Sequence, residues 1–389
     1  MGKPKIRFKG YEDDWEQRKL ADVVDSVDTG KSKFDKEGSS GEYPILGSTS
    51  VIGYDDEYDY EGDFILTARV GANAGSLYRH TGKVKISDNT VFIQASQNIE
   101  FLYQLLIRFD IKKLSFGTGQ PLVKASELKS LELMMPTDMK EQMQIGEYFK
   151  TLDNLITLHQ RKCEETKSLK KYMLQKMFPE NGKCVPEIRF SGFSDDWEQR
   201  KLSEIAIEKL SNGIMNNQAN DETGLRHINV INMYDPDKIH PEKLTFSNYD
   251  EDAVKKCNVE WGDIFLTRSS LKPEGIAESN VLLDSGRFVY DDHLIRLKLD
   301  KEKYDPFFVK LNLSGSIFKR QFIARAKTTA FTTIGQEDIA ECFGLFPEKE
   351  EQEKIGTYFS NLDHLITLHQ HKCDELQKLK KFMLQNMFV

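Results

Sequence analysis

The sequence predicts an α+β protein in which two mixed α/β domains are separated by two long antiparallel coiled-coil helices, with an internal pseudo-two-fold repeat. Two observations support this prediction. A stretch of 38 residues occurs twice, at 141–178 and 351–388, with 25 identical positions in an ungapped alignment. A shorter stretch, DDWEQRKL, also occurs twice, at 13–20 and 195–202. The order along the chain is therefore variable segment, helix, variable segment, helix.

Each 38-residue stretch carries mostly apolar side chains at alternating steps of four and three residues, which is the spacing of a coiled-coil seam. The seam positions are Ile145, Phe149, Leu152, Ile156, His159, Cys163, Thr166, Lys170, Met173 and Met177, and then Ile355, Phe359, Leu362, Ile366, His369, Cys373, Leu376, Lys380, Met383 and Met387. A helix of this length spans roughly 57 Å. The alternative is a pair of ordinary core helices in a duplicated domain.

The spacing of the repeats sets the expected domain boundaries. The copies are offset by 182 residues at the DDWEQRKL stretches and by 210 at the helices, so the second variable segment is longer by 28 residues. We expect a first domain at 1–140, a helix at 141–182, a second domain at 183–350 and a helix at 351–389. The second helix must pair back along the first, which predicts the antiparallel arrangement.

The variable segments alternate short β-rich runs with helical patterns. In the first segment we predict strands at Tyr43–Leu46, Phe64–Thr67, Ser76–Arg79 and Thr90–Gln94, and a helix over Ile99–Leu114. Residues 55–63, of which six are acidic, are expected to form a solvated loop. In the second segment a matching helix is expected over Tyr304–Ala326.

Composition excludes several classes of protein. Hydrophobic residues make up 39% of the 389 and charged residues 30%, with no apolar run long enough for a membrane helix and no signal peptide at the N-terminus. The five cysteines form no CxxC pair, which predicts reduced thiols and a cytoplasmic location. A net charge of −8 argues against nonspecific coating of nucleic acid but leaves a local basic surface open.

The sequence predicts no catalytic or metal site and no cofactor. Gly30-Lys31-Ser32 resembles the end of a phosphate-binding loop, but the first glycine that such a loop requires is Asp25. Asp305-Pro306-Phe307-Phe308 resembles an amino-methyltransferase motif without its second proline. His159 and His369 occupy equivalent seam positions, where either zinc ligation or a histidine that fixes the helix register would fit.

The remaining polar loops have the chemistry of DNA recognition. Arginine can bridge guanine O6 and N7, glutamine or asparagine can bridge adenine N6 and N7, and lysines and hydroxyls bind phosphates. Corresponding loops differ between the two repeats, as two surfaces that read different sequences would. The candidate DNA-binding residues are Arg69, Asn73, Thr118, Gln120 and Lys124 in the first domain, and Arg268, Lys272, Arg325, Lys327 and Thr329 in the second.

The chain resembles the specificity (S) subunits of Type I restriction-modification systems. The resemblance lies in the paired DDWEQRKL stretches, the segments GDFILTARVGANAG and GDIFLTRSS, the loop GTGQPLV and the helical stretches containing LITLHQ. It implies two target recognition domains, each reading half of an asymmetric bipartite site in double-stranded DNA, with the helices setting the spacer. It also implies partners, namely two methyltransferase (M) subunits, which carry S-adenosylmethionine, and restriction (R) subunits.

One departure from the family pattern and two rival functions remain. Residues 327–333 lack the glycines of the first domain's loop, which makes contacts at Lys327 and Thr329 less secure than one at Gln120. The main rival is a two-headed coiled-coil scaffold for protein partners that does not bind DNA. A self-contained modification enzyme is the second, and the missing methyltransferase and motor motifs disfavour it.

Overall fold

The computed structural model describes residues 2–33, 40–114, 121–180, 182–219, 222 and 224–389. The chain forms two compact units. Unit 1 comprises residues 1–160 and 370–389, and unit 2 comprises 161–369. Among the described residues, no helix is both long and apolar enough to cross a membrane.

The first half of the chain is rich in strands and ends in a long helix. In order, its elements are β1 (Glu16–Lys19), β2 (Ser26–Thr29), β3 (Tyr43–Leu46), β4 (Val51–Asp55), β5 (Tyr60–Ala68), β6 (Leu77–Ile86), β7 (Thr90–Gln94), α1 (Ile99–Phe109), α2 (Ala125–Lys129), β8 (Glu132–Met135) and α3 (Met139–Lys176).

The second half has shorter strands, more helices and a second long helix. Its elements are β9 (Glu198–Lys201), α4 (Leu202–Ile205), β10 (Ser211–Asn212), β11 (Leu225–Ile228), β12 (Thr245–Ser247), α5 (Glu251–Cys257), β13 (Ile264–Thr267), β14 (Ser269–Ser270), β15 (Ser279–Val281), β16 (Phe288–Tyr290), β17 (Leu294–Leu297), α6 (Pro306–Leu313), α7 (Ser316–Arg325), β18 (Lys327–Thr328), β19 (Thr332–Thr333), α8 (Gln336–Ala340), β20 (Phe343–Phe346) and α9 (Lys349–Asn386).

Unit 1 is built on a six-stranded sheet with the order β2-β7-β5-β6-β3-β4, in which only the β3–β6 pair is parallel. The central strand β5 is buried on both faces. Ile65 enters the core shared with α1 and the long helices, whereas Phe64 and Leu66 enter a smaller core on the opposite face. The apolar run FIL is thus explained by a strand that contributes to two cores.

Unit 2 repeats this principle with smaller sheets. Strand β13 lies inside a sheet with the order β10-β17-β13-β15, with Ile264 and Leu266 in one core and Phe265 in another. Separate three-stranded sheets have the orders β12-β11-β16 and β14-β19-β18. The first strand of the second small sheet, β14, follows the end of β13 with one residue, Arg268, between them.

Each unit contains parts of both long helices, and within each unit the contacting residues run in opposite directions along the two helices. In unit 1, Phe149 contacts Phe388 and Asp153 accepts a 2.6 Å hydrogen bond from Lys380. In unit 2, Phe178 contacts Phe359 and Asp363 lies 2.5 Å from Lys170. As the residue number rises on α3, the number of its partner on α9 falls, so the paired segments are antiparallel within each unit.

An equivalent buried ion pair in each unit anchors a long helix to the segment that precedes β1 or β9. Arg7 donates to both carboxylate oxygens of Glu141, at 2.6 and 2.8 Å, and Arg189 donates to both oxygens of Glu351, at 2.7 Å each. Glu141 and Glu351 are only 1% and 0% exposed. In each unit the ion pair therefore joins the first turn of the long helix to a segment more than a hundred residues earlier in the sequence.

A helix glycine next to each ion pair allows close packing. A Cβ atom at Gly146 would lie 2.7 Å from the backbone nitrogen of Phe101, and one at Gly356 would lie 2.6 Å from Oδ1 of Asp305. Only a residue without a side chain allows α3 to approach α1, or α9 to approach the start of α6, this closely.

Two local predictions were wrong. Residues 55–63 are not a loop throughout, because β4 ends at Asp55 and β5 begins at Tyr60, so only residues 56–59 lie between the strands. Asp55, on the edge strand β4, binds Lys85 at 2.9 Å. The helix expected over Tyr304–Ala326 is divided into α6 and α7, since Gly315 has extended backbone and precedes the second helix.

Candidate nucleic-acid interface

In unit 1 the predicted residues converge where β5 ends. Arg69 follows β5, and its backbone N–H donates to the carbonyl of Asn89 at 3.0 Å while its own carbonyl accepts from Val123 at 2.8 Å. Gly71 donates to the carbonyl of Pro121 at 3.1 Å. The bonds from Val123 and to Pro121 fasten the loop after β5 to the segment before α2, which lies at least fifty residues further along the sequence. We call the backbone bonds around this arginine the backbone frame.

The side chains on this frame differ in exposure. Asn73 lies exposed in a turn that is closed by backbone hydrogen bonds. In one of them the N–H of Ser76 donates to the carbonyl of Asn73 at 2.9 Å. Lys124 precedes α2 and is 57% exposed, with its Nζ 3.6 Å from Glu127. Arg69 is half-buried, and its guanidinium lies 3.4 Å from the carbonyl oxygen of Asp88. The structure therefore brings Arg69, Asn73 and Lys124 together, while Thr118 and Gln120 lie outside the described residues.

Unit 2 has the same backbone frame at the end of β13. The N–H of Arg268 donates to the carbonyl of His293 at 2.8 Å, and the carbonyl of Arg268 accepts from Ile334 at 3.0 Å. Asn89 and His293 both belong to the turn before the neighbouring strand, β7 or β17. Arg69 and Arg268 consequently occupy equivalent places, although the GDxxxT motifs before them predict a register one residue apart.

The frame in unit 2 carries the sheet β14-β19-β18. Lys327 and Thr329 are exposed at its edge strand and turn, and Lys272 is exposed at the start of a 3₁₀ turn over Pro273–Gly275. Arg325 ends α7, and its guanidinium lies 3.4 Å from the carbonyl of Glu341. Arg268, Lys272, Lys327 and Thr329 thus lie on or beside this sheet. The fifth predicted residue, Arg325, lies outside it and directs its guanidinium to a backbone carbonyl.

Two further side chains beside the same sheet, Leu271 and Phe331, are not among the residues predicted from the sequence. They are large and apolar, with exposed fractions of 80% and 53%. A usable signal was present, since each is the one large apolar residue of a run of small or polar residues, SSLK or TTAFTT. An apolar side chain in such a run is expected to be solvent-exposed unless it has a partner.

The turn that binds Arg268 also carries a small polar cluster. Nδ1 of His293 lies 3.0 Å from a carboxylate oxygen of both Asp291 and Asp292, and these atoms are within 4.8 Å of one another. Neighbouring His227 is buried, and burial lowers its pKa below the ordinary 6.5. Histidine and carboxylate are ligands that zinc accepts, but the three exposed or half-exposed groups already satisfy one another.

A different kind of polar network lies under the sheet of β13. Asp263 is fully buried, accepts a 3.0 Å hydrogen bond from the backbone N–H of Glu260, and lies 3.6 Å from Arg296. Burial raises the pKa of Asp263 to about 6. Arg296 in turn donates to the carbonyl of Asn258 at 2.7 Å. These groups hold the sheet that positions Arg268 and do not face the loops.

Comparisons with known proteins point to one family. A family model described as the Type I restriction modification DNA specificity domain matches the chain twice, over residues 12–168 and 194–378. A putative type I restriction enzyme MjaX specificity subunit from Methanocaldococcus jannaschii is 23% identical over 95% of this chain and 91% of its own length. The type I restriction enzyme MjaVIII specificity subunit from the same organism is 24% identical over 95% of this chain and 91% of its own length.

A solved structure has the same fold. The S subunit of a Type I restriction-modification system from M. genitalium covers 100% of this chain and 99% of its own, with a TM-score of 0.68 and 15% sequence identity. The chain belongs to the family of Type I restriction-modification DNA specificity proteins. Its function is sequence recognition on DNA within such a system, and the scaffold without DNA binding is not favoured.

Proposed function

We propose that the two domains, residues 1–140 and 183–350, are target recognition domains that each read one half of an asymmetric bipartite site. The observation that carries this proposal is the shared backbone frame after β5 and β13, which presents different side chains in the two units. A common frame with divergent loops is what two readers of different half-sites require.

The proposed contacts fall into two kinds. Arg69 and Arg268 stand at the equivalent positions of the frame and would read base edges, since arginine bridges guanine O6 and N7. Lys124, Lys272, Arg325 and Lys327 would bind phosphates, which position the protein without specifying sequence. Asn73 and Thr329, together with Thr118 and Gln120, complete the proposed set.

The long helices are proposed to form an antiparallel coiled coil, at 141–182 and 351–389, that sets the spacer between the half-sites. Three observations support this. The seam repeats in both stretches. Its residues Ile145, Phe149, Ile355 and Phe359 are buried. The helix contacts within each unit are antiparallel. The repeat of lead-in, domain and helix supports a pseudo-two-fold relation between the halves.

We further propose that the chain works as a non-catalytic, cytoplasmic subunit without a cofactor of its own. Two M subunits would supply S-adenosylmethionine-dependent methyl transfer, and R subunits would supply cleavage. Family membership supports these partners, and the sequence lacks the methyltransferase and motor motifs that the chain would need to act alone.

An exchange of one variable segment tests the division of labour. Residues 203–347 are replaced by the corresponding segment of a relative with a different target, and the methylated motif is determined by methylome sequencing of cells that carry the complex. We expect one half of the motif to change and the other half, with the spacer, to persist. A motif altered in both halves contradicts independent reading.

Substitution of one arginine refines the test. Arg268→Ala should weaken binding by about 1–3 kcal/mol and relax specificity at one position, if Arg268 makes a bidentate base contact. Arg287→Ala, an exposed arginine elsewhere in unit 2, is the matched control. Equal losses in the two variants would show that Arg268 supplies charge alone.

A further inference from the structure

Two exposed apolar side chains lie at one end of the small sheet of unit 2. Antiparallel pairing joins Ser269 to Thr333 and Ser270 to Thr332. Leu271 directly follows Ser270, and Phe331 directly precedes Thr332, so both residues border the same end of the β14–β19 pair. Leu271 is 80% exposed and Phe331 53% exposed. A single exposed leucine is ordinary, but two large apolar side chains at one end of a sheet form a small apolar surface.

Strand geometry separates the two faces of this sheet. Successive side chains of a strand point to opposite faces, and Thr332 is 1% exposed, so its face is the inner one. Thr333 therefore lies on the opposite, outer side, together with its pairing partners Ser269 and Lys327. Leu271 and Phe331 are exposed where the β14–β19 pair ends. We call this set, Ser269, Leu271, Lys327, Phe331 and Thr333, the outer face.

The charge around the outer face suits nucleic acid. Lys327 lies on it, and Arg268 and Lys272 flank β14 on either side. Residues 268–272 and 327–333 contain no acidic side chain, in a chain whose net charge is −8. A local excess of cations of this kind favours a polyanion over an acidic or neutral protein partner.

The size of the sheet selects the groove. Strands β18 and β19 form a two-stranded antiparallel hairpin, whose turn carries Phe331. The major groove is about 12 Å wide and admits a two-stranded β-ribbon, whereas the minor groove, about 6 Å wide, is too narrow. Among the groups that base pairs present in the major groove, the C5-methyl of thymine is the apolar one.

From these observations we infer that Leu271 and Phe331 contact thymine C5-methyl groups in the major groove, which makes them specificity-determining residues of the second half-site. The inference rests on the proposed function, because it assigns a base to the domain that reads this half-site. Arg268 and the hydroxyls of Ser269 and Thr333 would supply the hydrogen bonds beside the apolar contact. The half-site read by unit 2 should therefore contain thymine.

Replacement of thymine by uracil tests the contact, since it removes only the methyl group. The assembled complex with its M subunits is titrated with duplexes of the motif found by methylome sequencing, in which each thymine of the second half-site is replaced in turn by deoxyuridine. We expect Kd to rise about fourfold at one or two positions, as for the loss of one buried methyl-sized group.

Variants then link that loss to the side chains. Leu271→Ala and Phe331→Ala should weaken binding to the thymine duplex about fourfold or more, and at least one of them should bind the thymine and deoxyuridine duplexes equally. Ile231→Ala, which changes an apolar residue that is 70% exposed elsewhere in unit 2, should keep the wild-type discrimination. Circular dichroism and melting temperature confirm that the exposed substitutions leave the fold intact.

Each other outcome overturns the inference in a recognisable way. A second half-site without thymine refutes the methyl contact, and so does an unchanged preference for thymine in both variants. In either case, sequence-specific binding by the complex would still support the proposed function. Loss of M-subunit assembly in the variants without DNA assigns the pair to a protein partner instead. Increased 2-aminopurine fluorescence in the wild-type complex, lost in the variants, assigns it to a wedge between base pairs. A complex that recognises no motif contradicts the proposed function itself.

Discussion

The buried ion pair between Arg189 and Glu351 allows a sharp test of how the repeated motifs hold unit 2 together. We consider Glu351→Gln, which keeps the shape of the side chain and removes its charge. In the wild type, Nε and Nη2 of Arg189 each lie 2.7 Å from a carboxylate oxygen of Glu351. Arg189 is 14% exposed and Glu351 0%. The hydrogen bond to Glu351 is the main reason that the pKa of Arg189 is raised.

The expected loss follows from this geometry. Removal of one partner from a buried ion pair costs about 3–5 kcal/mol, because the remaining charge stays buried without compensation. The amide oxygen of glutamine can keep one of the two hydrogen bonds, so we expect the lower end, about 3 kcal/mol. For a unit of this size each kcal/mol lowers the melting temperature by about 2–4 °C. The transition of unit 2 should therefore fall by roughly 6–12 °C.

Differential scanning calorimetry of the full chain measures this shift, with Glu341→Gln as the matched control. Glu341 pairs with Lys201 on the surface, where the side chains are 52% and 46% exposed, and an exposed pair contributes less than about 1 kcal/mol. A double variant, Arg189→Met with Glu351→Met, should recover much of the loss. Equal shifts for Glu351→Gln and Glu341→Gln would refute the assignment of the buried pair as an anchor.

Three further predictions concern a helix glycine, a buried lysine and the spacer. Gly146→Ala should destabilise unit 1 by about 1–3 kcal/mol in urea unfolding, because the new Cβ would lie 2.7 Å from Phe101 N; the gain of up to about 1 kcal/mol usual for alanine in a helix would contradict the close approach. Burial lowers the pKa of Lys310 from 10.5 to about 8, so the unfolded chain binds more protons between these pH values. The unfolding free energy of the wild type relative to Lys310→Met should consequently rise from pH 8 to 10.5 and stay level below pH 8, and a flat difference throughout would show that burial does not lower the pKa of Lys310. Insertion of seven residues into both long helices adds roughly 10 Å, or about three base pairs, and keeps the seam in phase; methylome sequencing should show a longer spacer or no methylation, and full activity on the original spacer would disprove the spacer role.

Local patterns in the sequence predicted the secondary structure well where one periodicity dominates. Strands β3 and β7 have the predicted bounds, and the long helices begin and end within a few residues of the repeated stretches. The sequence was less informative where two signals compete. Acidic residues at 55–63 suggested solvent, yet β5 starts within that run at Tyr60 and carries Glu61 and Asp63 in its first residues, before its buried apolar residues begin at Phe64.

The candidate interface divides in the same way. The residue types pointed to DNA, and Arg69 and Arg268 could be selected because they follow apolar runs that end in loops. Their equivalence could not be predicted, since the motifs before them align with an offset of one residue. It depends on backbone hydrogen bonds to Asn89 and His293, and such bonds leave little mark on the sequence because any residue can supply an N–H or a carbonyl.

What the sequence determined by itself is therefore the repeated stretches, the two long helices, the central strands and the family. These features depend on spacing along the chain, which hydrophobic burial imposes on neighbouring residues. Only the tertiary structure decided that Arg7 binds Glu141, that Lys124 lies near Arg69, and that Leu271 and Phe331 border the same end of one strand pair. The physical reason is that strand register and packing are set by contacts between distant segments, so a side chain acquires its neighbours, and with them its function, only when the chain is folded.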